Sequence, residues 1–230
     1  MDTGSAGSLI NDSFARQLGL KIQCDSGALP RAVLDSVRVG DSVLKHVDVQ
    51  VVPNTLPKNT VMLGMHELRG TVLSLNFGEA KITFSKTAPS GLSDATELTM
   101  NPVSKPFVEG SVGNTSGPFL VDLDSPANIM SEKLFNELLS SDPKLNALVR
   151  KTSLMTNLST VSEGTQTGRM FMMPLKLRQV HSQIAVTVVP KEHGANAILG
   201  LNFFRQYRYL TLDFPSRHLF LGPNVDADDL

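Results

Sequence analysis

Asp2-Thr3-Gly4-Ser5 carries the sharpest chemical signal in this chain of 230 residues. An Asp followed by Thr and Gly suits the tip of a tight loop. Gly permits close backbone approach, and the Thr hydroxyl can lock the loop through a buried hydrogen bond. Two such loops meeting across a pseudo-twofold axis would place two carboxylates side by side. Like charges that close cannot both ionise, so the pair would hold one proton. The ionised member can activate water as a base while the protonated one polarises a scissile carbonyl. Such a pair hydrolyses peptide bonds with neither a metal nor a covalent intermediate.

The expected partner of Asp2 is Asp122, in Asp122-Leu123-Asp124-Ser125-Pro126. Leu9-Ile10 begins seven residues after Asp2, and Ile129-Met130 begins seven after Asp122. Counting from Asp124 reaches the polar Ser131 instead. A rival register reads Asp124-Ser125-Pro126 as the loop, with a rigid Pro where Gly is wanted. Either way the second loop is degenerate. Leu123 cannot make the cross-loop hydrogen bond, and Asp124 brings a third carboxylate. A third negative charge would raise neighbouring pKa values and disturb the shared proton.

The elements around these loops read as mostly β. Val47-Asp48-Val49-Gln50-Val51 and Ile184-Ala185-Val186-Thr187-Val188 alternate with period two, the mark of half-buried strands. One short helix is expected after Asn11 or Asp12, with Asn11 as a cap, Phe14 and Leu18 on one face, and a stop at Gly19. A second is capped by Ser131 and carries Leu134, Phe135, Leu138 and Leu139 as its apolar stripe. A third is expected from Lys144 to Lys151.

Four blocks recur in the same order in the two halves. Asp2, Leu9-Ile10 and Phe14 return 120 positions later; Val47–Val51 with Pro53 returns after 137 as Ile184–Val188 with Pro190. Met62-Leu63-Gly64-Met65 returns after 136 as Ile198-Leu199-Gly200-Leu201, and Leu75-Asn76-Phe77 after 137 as Leu212-Asp213-Phe214. The change in offset implies an insertion of about 17 residues in the second half, between its helix and its later strands. Phe107–Val121 supplies a strand–turn–strand before Asp122, turning at Gly113-Asn114-Thr115-Ser116-Gly117. Only Met1 precedes Asp2, so either the chain is an N-terminally shortened version of a longer protein or the first lobe has lost its preceding hairpin; the intact remainder of that lobe favours the first. The organisation expected is a first lobe over 1–86, a Pro/Ser/Thr-rich linker over 87–104, a second lobe over 105–224 and an acidic tail over 225–230.

Asp2-Thr3-Gly4-Ser5, Leu63-Gly64 and Leu75-Asn76-Phe77 together resemble the retropepsin-like aspartic proteases. Leu34–Gly40 leading into Val47–Val51 is similar to their cellular and bacterial members. Gly164-Thr165-Gln166, Gly168 and Arg169 resemble the flap hairpin of the DNA-damage-inducible branch, and Leu199–Phe204 with Leu212-Asp213-Phe214 resembles the closing motif. The resemblance implies a bilobed, mostly-β retropepsin/pepsin-like fold with the site between two similar lobes in one chain. It also implies catalytic roles for Asp2 and Asp122, loop-shaping roles for Thr3, Gly4 and Asp124, and a flap formed by Gly164, Thr165, Gln166 and Gly168. Met155, Met170, Met172 and Met173 flank that flap, as core filling or as a soft apolar lining of a peptide groove.

Composition narrows the partners. The chain is 41% hydrophobic and 19% charged, with a net charge of −1, so no basic field recruits nucleic acid or an anionic membrane. One cysteine excludes an internal disulfide, and the five histidines lack metal-ligand spacing. No metal or cofactor is expected. No apolar run reaches the ~18 residues that span a bilayer, so a soluble protein of the cytoplasm or another intracellular compartment is expected. Two functions fit: an aspartic endopeptidase acting on extended peptides, or a catalytically dead pseudoprotease that binds peptide or protein, alone or in a complex.

Overall fold

The period-two segments become strands. Among the residues that the computed structural model describes (1–24, 26–102, 105–149, 154–160, 164–190 and 197–225) there are sixteen strands and five short helices. The first half runs β1 (Ser8–Asn11), α1 (Asp12–Gln17), β2 (Arg31–Val39), β3 (Ser42–Val52), β4 (Val61–Met62), α2 (Met65–Leu68), β5 (Val72–Asn76) and β6 (Lys81–Ser85). The chain continues through β7 (Thr96–Pro102), β8 (Pro106–Val112), β9 (Thr115–Val121), β10 (Asn128–Ser131), α3 (Glu132–Ser141) and α4 (Pro143–Val149). The chain then forms β11 (Leu154–Thr160), β12 (Gly164–Leu177), β13 (Val180–Val189), β14 (Ala197–Leu199), α5 (Leu201–Phe204), β15 (Tyr209–Asp213) and β16 (His218–Leu221).

The mostly-β, two-lobed architecture expected from the sequence is present, and the two halves are wired alike. β1 pairs parallel with β3 and antiparallel with β4; β10 pairs in the same senses with β13 and β14. The registers fall on the sequence offsets. Ser8 opposes Val49 as Asn128 opposes Val186, and Leu9 opposes Met62 as Ile129 opposes Ile198. Alternation sets the burial, with Val47, Val49 and Val51 all inside.

One sheet has the order β2-β3-β1-β4. The other has twelve strands in the order β11-β12-β13-β10-β14-β9-β8-β7-β16-β15-β5-β6. β5 and β6, from the first half, therefore complete a sheet built mainly from the second, with Leu73 opposite Leu212. The larger core cluster follows suit, joining Met65, Leu68 and Leu73 to Leu199, Phe203, Phe204 and Leu210. A smaller cluster holds Ile10, Ala15, Val47, Val49, Val51 and Leu63, and Met1 packs against both.

Several local expectations change. The stretch 87–104 carries β7, hydrogen-bonded to β16 and β8, because its Thr96–Met100 alternation outweighs the flanking prolines. In α1 the buried residue is Ala15, Phe14 is half-buried and Leu18 is 48% exposed, since the helix ends after one and a half turns. Asn11 holds the N-cap position without capping: its amide donates to the Leu56 and Pro57 carbonyls and accepts from the Leu56 N–H. Ser131 does cap α3, accepting from Leu134 N–H at 3.3 Å. The third helix begins one residue earlier than expected, at Pro143, where Asp142 accepts from the Lys144 and Leu145 amides; Lys151 and residues 226–230 of the tail lie outside the described residues. The second half's extra length sits in α3, α4 and β11, where the first half has only α1 and a loop closed by a Gln23–Arg31 bridge. No helix among the described residues is long and apolar enough to cross a membrane.

Candidate active site

Each candidate aspartate sits just before a short strand and is pinned by the strand of its own half that precedes a helix. The Asp2 N–H donates to Leu63 O at 2.9 Å, and the Asp122 N–H donates to Leu199 O at 3.0 Å. Next, Ser5 O accepts from Met65 N–H as Ser125 O accepts from Leu201 N–H. The Ser5 hydroxyl donates to Gly7 O, and the Ser125 hydroxyl to Ala127 O. Finally, Gly64 N–H is held by Ser8 Oγ and Gly200 N–H by Asn128 Oδ1, both at 3.0 Å. Every rung places Asp122, not Asp124, opposite Asp2 in this comparison.

The hydrophobic-hydrophobic-Gly blocks now have a physical reason. A Cβ at Gly64 would strike the Gly7 carbonyl, and one at Gly200 would strike the carbonyls of Ala127 and Ser125. Only glycine lets β4 and β14 pass that close beneath the loops. Gly4 does the same work across the site, because a Cβ there would collide with the Asp122 carboxylate.

Thr3 is fully buried and ties the two loops together. Its hydroxyl donates to Val121 O at 2.7 Å and accepts from Leu123 N–H at 2.9 Å. The reciprocal tie is absent: Leu123 has no hydroxyl, and its side chain is buried in the larger core cluster. Asp124 is exposed, and its N–H donates to Asp122 Oδ1 at 3.0 Å.

Burial pushes the Asp2 carboxyl up to about 6, helped by the charges of Asp122 and Asp124 and opposed by the Ser5 and Gly4 N–H groups. Burial raises Asp122 as well; Asp124 adds to this through its charge and opposes it through its N–H, while Ser125 N–H and Lys105 pull it down. The Asp122 charge acts on Asp2, and like charges in one buried site favour holding a proton on one of them. Arranged this way, the two carboxyls can present one base and one acid to a water molecule and a carbonyl.

Sequence reasoning passed over Ser5 with Ser125 and Ser8 with Asn128, although each pair obeys the 120-residue offset that located the aspartates. Lys105 had no sequence signal. Gly168 pairs with Thr156 in the β11–β12 hairpin, whose strands also include Gly164, Thr165 and Gln166. The side chains of residues 164–167, and residues 161–163 altogether, lie outside what the structure describes. Met173 joins the core, whereas Met155 is 68% exposed and Met172 38%. Among the described residues no group of three or more His, Cys, Asp or Glu is arranged to hold a metal ion.

No family model and no curated protein matches the chain. Among solved structures it is similar to a retropepsin-like aspartic protease from Rickettsia conorii. That similarity has 12% identity and a TM-score of 0.41, and covers 55% of this chain and 89% of that one.

Proposed function

We propose that the chain is an aspartic-type endopeptidase formed from two copies of one ancestral lobe, hydrolysing extended peptides at Asp2 and Asp122. The observation that carries this reading is the Thr3 hydroxyl bridging Val121 O and Leu123 N–H, which locks two equivalently pinned aspartate loops against each other. Asp2 carries the proton, since its carboxyl is held up to about 6. It donates to the scissile carbonyl oxygen as that oxygen gains charge. Asp122, whose charged form is favoured by the Asp124 and Ser125 N–H groups and to a lesser extent by Lys105, takes a proton from the attacking water. The gem-diol then collapses: one hydroxyl returns its proton to Asp2 as the carbonyl re-forms, the C–N bond breaks, and the amine leaves with the proton held by Asp122. The β11–β12 hairpin, with Gly164–Gly168 on its second strand, covers the peptide. The lobes are 1–86 and 105–224, with their sheets interleaved.

A second reading has its own observation. Leu123 and Asp124 remove one inter-loop hydrogen bond and add a charge beside the dyad, which suits a pseudoprotease that binds peptide or a protein partner without cutting it. Peptide-library cleavage between about pH 4 and 6 separates the two. Cleavage that is lost in Asp2→Asn establishes the enzyme; peptide binding without cleavage establishes the pseudoprotease.

A further inference from the structure

The two loops differ at the position two residues after each aspartate. In the first loop it is Gly4, which lies against the Asp122 carboxylate and leaves no room for a side chain. In the second it is Asp124, which is exposed and anchored through its N–H to Asp122 Oδ1. The Asp124 carboxylate has neither a hydrogen bond nor an ion pair among the described residues. We infer that Asp124 is a specificity-determining residue that selects peptides carrying a Lys or Arg side chain beside the bond held over the dyad. This rests on the peptide-cleft reading above and adds the chemical class of the peptide to it.

The reasoning is one of charge. A dyad that shares one proton carries one negative charge, and Asp124 adds a second next to Asp122, to which its own N–H is bonded. Its charge acts on both aspartates, raising the Asp2 carboxyl and working on Asp122 against its own N–H, which there pulls the other way more strongly. Lys105 acts on Asp122 and offsets part of this charge, but it does not engage Asp124 in an ion pair. An acidic side chain bound next to Asp124 meets like charge; a cationic one relieves it. Because Asp124 is exposed, solvent screens the attraction, and the expected preference is modest, about fivefold for Lys over an uncharged side chain of equal length. The first loop offers no counterpart, so the preference belongs to one side of the scissile bond only.

Matched fluorescein-labelled octapeptides, identical except for Lys, norleucine or Glu at the residue flanking the central bond, test this. Binding is read by fluorescence anisotropy and cleavage by mass spectrometry on the same samples, with wild type, Asp124→Asn and Asp124→Lys. Circular dichroism checks that each variant folds. Wild type is expected to bind the Lys peptide about fivefold more tightly than the norleucine peptide, and the Glu peptide most weakly. Asp124→Asn removes the preference, Asp124→Lys reverses it, and raised salt weakens it. Binding that ignores charge in wild type, or a Lys preference that survives in Asp124→Asn, overturns the role of Asp124 and leaves the peptide cleft standing. Failure of every peptide to bind or be cut overturns the cleft reading itself, and this inference with it.

Discussion

Thr3 shows what one side chain does when two loops depend on it. A buried hydroxyl with one donor and one acceptor bond satisfies two backbone groups at once, and losing it strands both. Thr3→Val is therefore expected to destabilise by about 2 kcal/mol, measured by urea unfolding, while Thr3→Ser keeps most of the stability. Asp2 gives a pH test. Its folded value of about 6 lies above its ordinary 3.8, so protonation favours the folded state. That contribution is complete below about pH 3.8 and disappears as pH rises through about 6. Wild type should lose stability across this window relative to Asp2→Asn, which has no proton to lose there; urea midpoints at several pH values measure the difference. Proteolysis that requires the Asp2 proton should decline above about pH 6 for the same reason. The residue types in the first loop were legible from the sequence, as was the failure of Leu123 to tie the loops. The part played by Lys105 was not, because a single lysine before a strand has no pattern to mark it.

At the scale of elements, the crossing of a strand under a loop is the repeated device. Gly64→Ala and Gly200→Ala each push a methyl into backbone carbonyls that cannot move without breaking the β1 or β10 ladders. Each is expected to cost about 3 kcal/mol or more. Hydrogen exchange should show the loss concentrated in β1 and β4 for Gly64→Ala, and in β10 and β14 for Gly200→Ala. Strand patterns and the Ser131 cap were readable because alternation and capping are local. Leu18 falls outside the buried face of α1 because a six-residue helix has too few turns to carry one that far. The Asn11 side chain went to the Leu56–Pro57 loop because those backbone groups, distant in sequence, come within 2.8–3.2 Å of it.

Across the whole molecule, the two halves share one large sheet and one large core, so the lobes are not independent in stability. β5 lies between β15 and β6, and core residues from both halves interlock. Proteolytic nicking between residues 86 and 95 should leave the two fragments associated, co-eluting by size exclusion until denaturant is added. The intact chain should show a single unfolding transition by circular dichroism and fluorescence. Separate elution of the fragments, or two transitions, would contradict this. Within 87–104, β7 forms for a related reason: whether a Pro-flanked, alternating stretch becomes a strand depends on an open sheet edge, here that of β16.

The sequence by itself determined the strand alternation, the offsets that put Asp122 opposite Asp2, and the chemical deficits of the second loop. Each of these is carried by residue type and spacing along the chain. Tertiary structure decided the rest. It brought Thr3 to Val121 and Leu123 across the lobes, set Gly4 against the Asp122 carboxylate, and buried the Asp2 carboxyl enough to hold its proton to about pH 6. These are contacts between residues about 120 positions apart, and no local pattern encodes a distance that only the packing of two halves creates.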